Sequence, residues 1–579
     1  MKSRILIPFF ILLFCIIILL LWPNAEHSNR SFENLQLTKA AYKPEEEVVI
    51  TFTSNRKHKK ATFIFLHGSH VVEEREVIVK EGKNIVKWLP PTKDFQGYLL
   101  EVRVADYSET IGIDVSSDWS KFPRYGFLSS FQPMTNNDQK NVVEKLNRYH
   151  INGVQFYDWH FKHEEPLPVQ DNKPLKEWED IANRPTSFQT VQNYIELAHQ
   201  FGMEAMSYNL LYGAFKVDST LPREWALFKD PNQQSIDEHP LPEAWKSNVM
   251  VMNPSNPWWQ DHLIAEQQKV YDHLDFDGWH IDQLGERGEV FNELGDSIDV
   301  ADQFSSFVDK ITTAHSEKDV VMNGVNQFGQ EQIAAAQPEF LYTEVWDDFP
   351  TYTDIKNILE QNQTLSKQNN LSSTSSVLAA YMNYNHANLE ETFNEAGVLL
   401  MDAVVFANGG AHIELGEHML SKEYFPNKSL KMSRSLEDKL VHYYDFLTAY
   451  QNWLREDVSP TYVEINSEDR LPYTTDGAEE EKLWILPKEK ENKTILHFIN
   501  LLDSTSLEWR DTDATQRTPK KRENLTFTMY VEQPVKKVWT TSPDVNGGKA
   551  QELEMKQDGN QLTFTLPSLE YWGMVVIEN

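Results

Sequence analysis

Residues 276–288 read FDGWHIDQLGERG, and the polarity of this run constrains the whole fold. If DGWHIDQL (277–284) is a strand, successive side chains alternate faces, so Gly278, His280 and Asp282 share one side and Trp279 and Ile281 the other. An ionised Asp and a His cannot be left among packing helices without a large desolvation cost. Their face must open on a polar lumen, while the Trp279/Ile281 face is free to meet apolar helices. A β/α barrel has this arrangement, with active sites built at the C-terminal ends of its strands.

The surrounding sequence supports that architecture. From Lys121 onward, short apolar runs alternate with segments of helical period such as NDQKNVVEKLNRY (137–149) and SFQTVQNYIELAHQFG (187–202), the texture of β/α alternation. Eight runs read as strands: RYGFLSSF (124–131), GVQFYDWH (153–160), EAMSYNLL (204–211), DGWHIDQL (277–284), DVVMNGVN (319–326), EFLYTEVW (339–346), SVLAAYMN (376–383) and AVVFANGGAH (403–412). Eight suggests a closed barrel. Residues 31–115 instead alternate apolar and polar at short intervals, as in EEEVVITFTSN and GYLLEVRVAD, and the same pattern returns after about residue 456 in EKLWILPK, KTILHFINL and YWGMVVIE. Period-2 runs separated by turn residues read as β-sandwiches. The expected fold class is therefore multidomain: a central (β/α)8 TIM barrel over 119–455, flanked by an N-terminal β-sandwich over 27–118 and a C-terminal β-sandwich over 456–579.

The chain starts with Lys2 and Arg4 ahead of an uncharged apolar run of 18 residues, Ile5 to Trp22. That run exceeds the roughly 7–15 residues of a signal-peptide core and just reaches spanning length. Residues 1–26 are expected to be a signal peptide or an N-terminal membrane anchor, and either places the remainder outside the cytoplasm, with membrane contact only through this segment. Cys15, inside it, is the only cysteine. The rest of the chain can form no disulfide and no Cys-based metal site. With 87 Asp plus Glu against 54 Lys plus Arg, the formal charge of −33 would repel a polyphosphate backbone and excludes nucleic acid as a partner. The 16 Trp residues include candidates for stacking on sugar rings, although most Trp is core.

Two strand-end acids carry the chemistry. Asp282 ends the fourth run, and in YTEVW of the sixth run Tyr342, Glu344 and Trp346 share one face. An acid ending a strand also serves as a helix cap or an Arg partner, and for one acid alone that is the commoner role. Two acids at different strand ends, with aromatic and amide neighbours, suit glycoside hydrolysis: one carboxyl protonates the leaving oxygen, while the other attacks the anomeric carbon or activates water. Asp158, with Tyr157 or Trp159 as a stacking platform, lies at the second strand end. Tyr208 and Asn209 at the third, Asn323 and Asn326 at the fifth, and Asn383 at the seventh suit sugar hydroxyls and rings. His280 and His412 are further candidate sugar contacts. His160, His163 and Glu164 raise a metal question, but their spacing lacks the helical HExxH pattern; no metal and no cofactor is expected.

The motifs KFPRYGFLSSF, VQFYDWHFKHEEPL, AMSYNLLYGA, FDGWHIDQLGERG and YTEVWD resemble glycoside hydrolase family 66, which contains dextranases and cycloisomaltooligosaccharide glucanotransferases. The resemblance covers essentially the whole chain after the leader. It implies an N-terminal immunoglobulin-like domain, a (β/α)8 barrel and a C-terminal β-sandwich, with Asp282 as nucleophile and Glu344 as general acid/base. By the same resemblance the substrate is dextran, cleaved endo at α-1,6-glucosidic bonds with retention to give isomaltooligosaccharides. The family's transferases usually carry an extra carbohydrate-binding domain inserted in the barrel region, for which 121–455 has no room. The resemblance thus favours hydrolysis, with intramolecular transglycosylation the alternative. A reading from another class is a surface glucan-binding protein with a degenerate barrel; both acids standing in intact motifs argue against it.

Overall fold

Eight parallel strands form the centre of the molecule, hydrogen-bonded in chain order except where the barrel closes. The computed structural model describes residues 31–55, 60–217 and 220–579, so the expected leader at 1–26 lies outside the described residues. The barrel strands are Tyr125–Leu128, Gly153–Phe156, Glu204–Leu210, Gly278–Asp282, Asp319–Asn323, Leu341–Glu344, Val377–Ala379 and Ala411–His412. Closure is made by the Phe127 N–H, which donates to Leu415 O at 3.1 Å just beyond the last strand.

Each of the eight expected runs contains its strand. In AVVFANGGAH only the last two residues are strand, because Glu395–Ala407 is a helix whose residues 396–407 are all buried. A helix apolar all round shows no amphipathic period, so periodicity could not separate it from a buried strand. The fourth strand alternates as its sequence requires: Trp279 and Ile281 are fully buried in the layer between strands and helices, while His280 and Asp282 face the lumen. Gly278 is needed there, since a Cβ would lie 2.3 Å from Asp319 O.

The helices are punctuated by local chemistry. Asn256 caps Pro257–Tyr271 by accepting from the Trp258 N–H at 2.9 Å, with Pro257 in the first turn; such a cap contributes about 1 kcal/mol. Thr351 and Asp354 form a capping box at the start of Tyr352–Gln368, which anchors the loop that follows Glu344.

Before the barrel, a three-stranded sheet (Phe32–Leu37, Val48–Ser54, Gly82–Trp88) faces a four-stranded one (His70–Val77, Ala61–His67, Gln96–Val104, Tyr107–Val115) across a shared apolar core. After it, a larger sheet containing Leu483–Lys490, Lys493–Asn500 and Trp572–Glu578 faces one built on Arg522–Tyr530 and Gln561–Leu569. The first sandwich is locked to the barrel by buried polar groups. Arg124 Nη2 pairs with Asp114 Oδ2 at 2.7 Å, both side chains fully buried, and the Gly112 N–H donates to Asp445 Oδ1 at 2.9 Å. Such pairs cost desolvation and so specify one docking geometry more than they add stability.

Candidate active site

A cavity of about 650 Å³ opens at the C-terminal ends of the barrel strands and is lined by both Asp282 and Glu344. Each acid is the last residue of its strand, where the pleat aims it at the mouth. One amide joins them. Asn323 Nδ2 donates to Asp282 Oδ1 at 2.8 Å and to Glu344 Oε2 at 3.1 Å. Those two oxygens are therefore no farther apart than the sum of the two bonds, within reach of the roughly 5–5.5 Å of retaining pairs and short of the roughly 6.5–9.5 Å of inverting ones.

The two carboxyls have different neighbours. Asp282 accepts three bonds: from Asn323, from Tyr208 Oη at 2.7 Å and from the Gln283 N–H at 2.8 Å. Burial raises its pKa, and these three donors oppose the rise. Glu344 accepts from Asn323 and from Tyr381 Oη; burial, and then the charge of Asp282, push it up to about 7. Two buried acids this close favour one shared proton, and the three donors to Asp282 favour its ionised form. The arrangement can therefore present an anionic nucleophile and a neutral acid at once.

His280 forms the floor. Its ring stacks between Tyr125 and Tyr208, with centroids at 5.7 and 5.9 Å, and burial lowers its pKa to about 3, so it is neutral. Tyr157, Asp158 and Trp346 also line the cavity. Burial raises Asp158 to about 7, opposed by Arg184, and its φ of 50° marks a sharp break after the second strand.

That break explains a correction. Trp159 is fully buried and packs against Phe276 and Trp178, away from the cavity, because alternation fails at Asp158. Four other expected sugar contacts are also absent from the cavity wall. Asn209 is fully buried and donates to His163 O. Asn326 accepts from the Trp346 N–H at 3.1 Å and bonds Asp348. Asn383 is fully buried and donates to Asp511 O at 2.8 Å. His412 is held by Asp402 at 3.0 Å and by Ala380 O at 2.8 Å. All four satisfy protein groups, the usual fate of buried amides and imidazoles such as Asn209, Asn383 and His412.

Of the questioned histidine group, His163 lines the cavity and bonds Asn209, while Glu164 accepts from the Phe215 N–H. A different set, Asp402, His412 and Glu414, brings one ligand atom each within 4.8 Å of one another. A carbonyl only accepts, so His412 Nε2 must carry a proton toward Ala380 O, and Nδ1 faces Asp402. Burial raises Asp402 to about 8 and raises Glu414 as well, so a proton retained between the two acids would account for the cluster without an ion.

Sequence reasoning missed several wall residues. Tyr381 lies two residues before the Asn383 it selected. Trp245 and Tyr424, from the loops after the third and eighth strands, meet across the cavity at 5.3 Å. Loop residues carry no periodic signal, and only aromatic type could have marked them.

A parallel (β/α)8 barrel with two buried carboxyls bridged by one amide at its C-terminal mouth has the arrangement that glycoside hydrolysis requires. More specifically, the chain belongs to glycosyl hydrolase family 66, whose family model matches residues 37–576, and it is a glycoside hydrolase. It is similar to a cycloisomaltooligosaccharide glucanotransferase from Niallia circulans, 26% identical over 706 aligned positions covering 94% of this chain and 72% of that protein. It is also similar to a dextranase from Streptococcus salivarius, 25% identical over 567 positions covering 83% and 67%. Among solved structures, a Paenibacillus sp. cycloisomaltooligosaccharide glucanotransferase complexed with cycloisomaltoheptaose superposes with a TM-score of 0.87 at 24% identity, covering 94% of this chain and 99% of that one.

Proposed function

We propose that the protein hydrolyses α-1,6-glucosidic bonds inside dextran with retention of configuration, releasing linear isomaltooligosaccharides. The observation that carries this reading is the pair of bonds from Asn323 to Asp282 and Glu344, which brings the carboxyls to retaining distance. Asp282 attacks the anomeric carbon as the glycosidic C–O bond breaks, and Glu344 gives its proton to the departing oxygen. A glycosyl ester on Asp282 results. Glu344, now ionised, takes a proton from water as that water attacks the same carbon, which frees Asp282 and restores the starting state. Tyr208 and Asn323 keep the nucleophile ionised and aimed, while neutral His280 and the surrounding rings give the sugar an apolar floor.

Intramolecular transfer uses the same carboxylates with a sugar hydroxyl in place of water. The 706-position alignment to the Niallia transferase is longer than this chain, so that relative carries segments absent here. Their absence is in keeping with hydrolysis. Dextran incubated with the protein, with Asp282→Asn and with Glu344→Gln discriminates the readings. Linear products from the parent alone support hydrolysis, cyclic products mean transfer, and retained binding without cleavage means a glucan-binding protein. The same reading takes 27–118 and 456–579 as braces for a barrel at 119–455. It also takes residues 1–26 as the export segment or anchor. Among the described residues no helix is long and apolar enough to cross a membrane.

A further inference from the structure

Arg510 comes from the loop between strands Lys493–Asn500 and Arg522–Tyr530 of the C-terminal sandwich, yet its side chain reaches the segment that follows Glu344. The loop grips the barrel mouth through its backbone. The Tyr352 N–H donates to Leu507 O at 3.0 Å, the Trp509 N–H to Pro350 O at 3.2 Å and the Asn383 N–H to Arg510 O at 2.9 Å. The Arg510 side chain, buried at 7% exposure, then runs along the segment that follows Glu344. Its Nη2 donates to Val345 O at 3.2 Å, its guanidinium lies 5.4 Å from the Trp346 ring centroid, and its Nη1 pairs with Asp347 Oδ1 at 3.1 Å. One side chain thus contacts each of the three residues after Glu344. Tyr384, from the seventh strand's loop, lies 5.2 Å away from the same guanidinium.

The strand ladder stops at Glu344, so the peptide beyond it has no sheet partner of its own apart from the Val345 N–H bond to Ala379 O. An acid must point its proton at the leaving oxygen, and a displacement of about 1 Å costs on the order of 10²-fold. A planar cation that hydrogen-bonds in its plane and stacks on its faces suits the task, and lysine does not reproduce it. We propose that Arg510 is a positioning residue for Glu344, so that the C-terminal sandwich completes the acid side of the active site. The inference rests on Glu344 being the general acid.

The test compares leaving groups in the full-length protein. Arg510→Met and Arg510→Lys are assayed for kcat/KM on an isomaltooligosaccharide, whose departing sugar needs protonation, and on a 4-nitrophenyl isomaltooligoside, whose phenolate leaves without it. General acid catalysis contributes roughly 10²–10⁴-fold, so a misplaced acid is expected to cost roughly 10-fold or more on the sugar and less than about threefold on the aryl substrate. Equal losses on both substrates, or no loss, would overturn the inference and leave Arg510 as interface packing. Arg510→Lys keeps the charge, which keeps the comparison available if Arg510→Met does not fold. Glu344→Gln is the reference: lacking the split itself, it would overturn the acid assignment and the inference together. Showing the split while neither Arg510 variant does, it would overturn the inference alone.

Discussion

Asp282 and Glu344 are held to a single nitrogen, the side-chain amide of Asn323, at 2.8 and 3.1 Å. An amide nitrogen has two protons, and here each is spent on a different carboxyl. The fifth strand therefore sets the spacing of groups that belong to the fourth and the sixth.

Loss of either carboxyl should be severe and distinguishable. Asp282→Asn and Glu344→Ala are each expected to lower kcat/KM on dextran by roughly 10³-fold. On a 4-nitrophenyl isomaltooligoside, whose phenolate leaves without an acid, added azide should restore turnover to Glu344→Ala alone by attacking the glycosyl ester without base assistance. The product, read by NMR, would be a glycosyl azide of unchanged anomeric configuration; an inverted product would sink the retaining assignment.

The pH profile follows from the shared proton. The proposed mechanism needs Glu344 protonated and Asp282 ionised, so kcat/KM is expected to fall as pH rises through about 7, the Glu344 value. Asp282→Asn removes a negative charge that raises Glu344, so the Glu344 titration, followed by carbon NMR of labelled glutamate, should move down. An unmoved titration would show that the two acids are not coupled.

Asn323→Ala removes the bridge while leaving both acids. A donor to a charge-bearing catalytic group is worth on the order of 10²–10³-fold in kcat, and KM should change far less. A pure KM effect would assign Asn323 to substrate binding instead.

Asp445 tests how the first sandwich is fastened. Its carboxylate takes two bonds from Arg148 at 3.0 and 2.9 Å, one from the Gly112 N–H at 2.9 Å and a contact with His150 Nε2 at 2.7 Å. Against the penalty of burial, Arg148 and His150 hold it well below the usual carboxylate range. Asp445→Ala leaves Arg148 unpaired and should cost about 3–5 kcal/mol in denaturant unfolding. Because the folded pKa is depressed, this contribution is present above the unfolded value of about 3.9 and lost as pH falls below it. The variant should therefore differ least from the parent in acid.

Much of this molecule was legible one residue at a time. Alternation in DGWHIDQL placed Asp282 and His280 on the lumen and Trp279 and Ile281 against the helices, because a strand has only two faces and only one of them tolerates charge. The same rule put Glu344 and Trp346 together. It failed where the backbone stopped being a strand: at Asp158, whose positive φ turned Trp159 into the core, and at Asn383, whose φ of 52° and bonds to Asp511 tied it to the C-terminal sandwich.

Local pattern thus determined which elements exist and which of their faces are polar, since period and desolvation act within a few residues. It carried no information on which strand ends would converge. The Asn323 bridge, the unequal donors that separate Asp282 from Glu344, the Trp245–Tyr424 contact and the reach of Arg510 to Val345 all join residues far apart in the chain. Their distances depend on barrel closure and domain docking, which are set by the packing of the whole core.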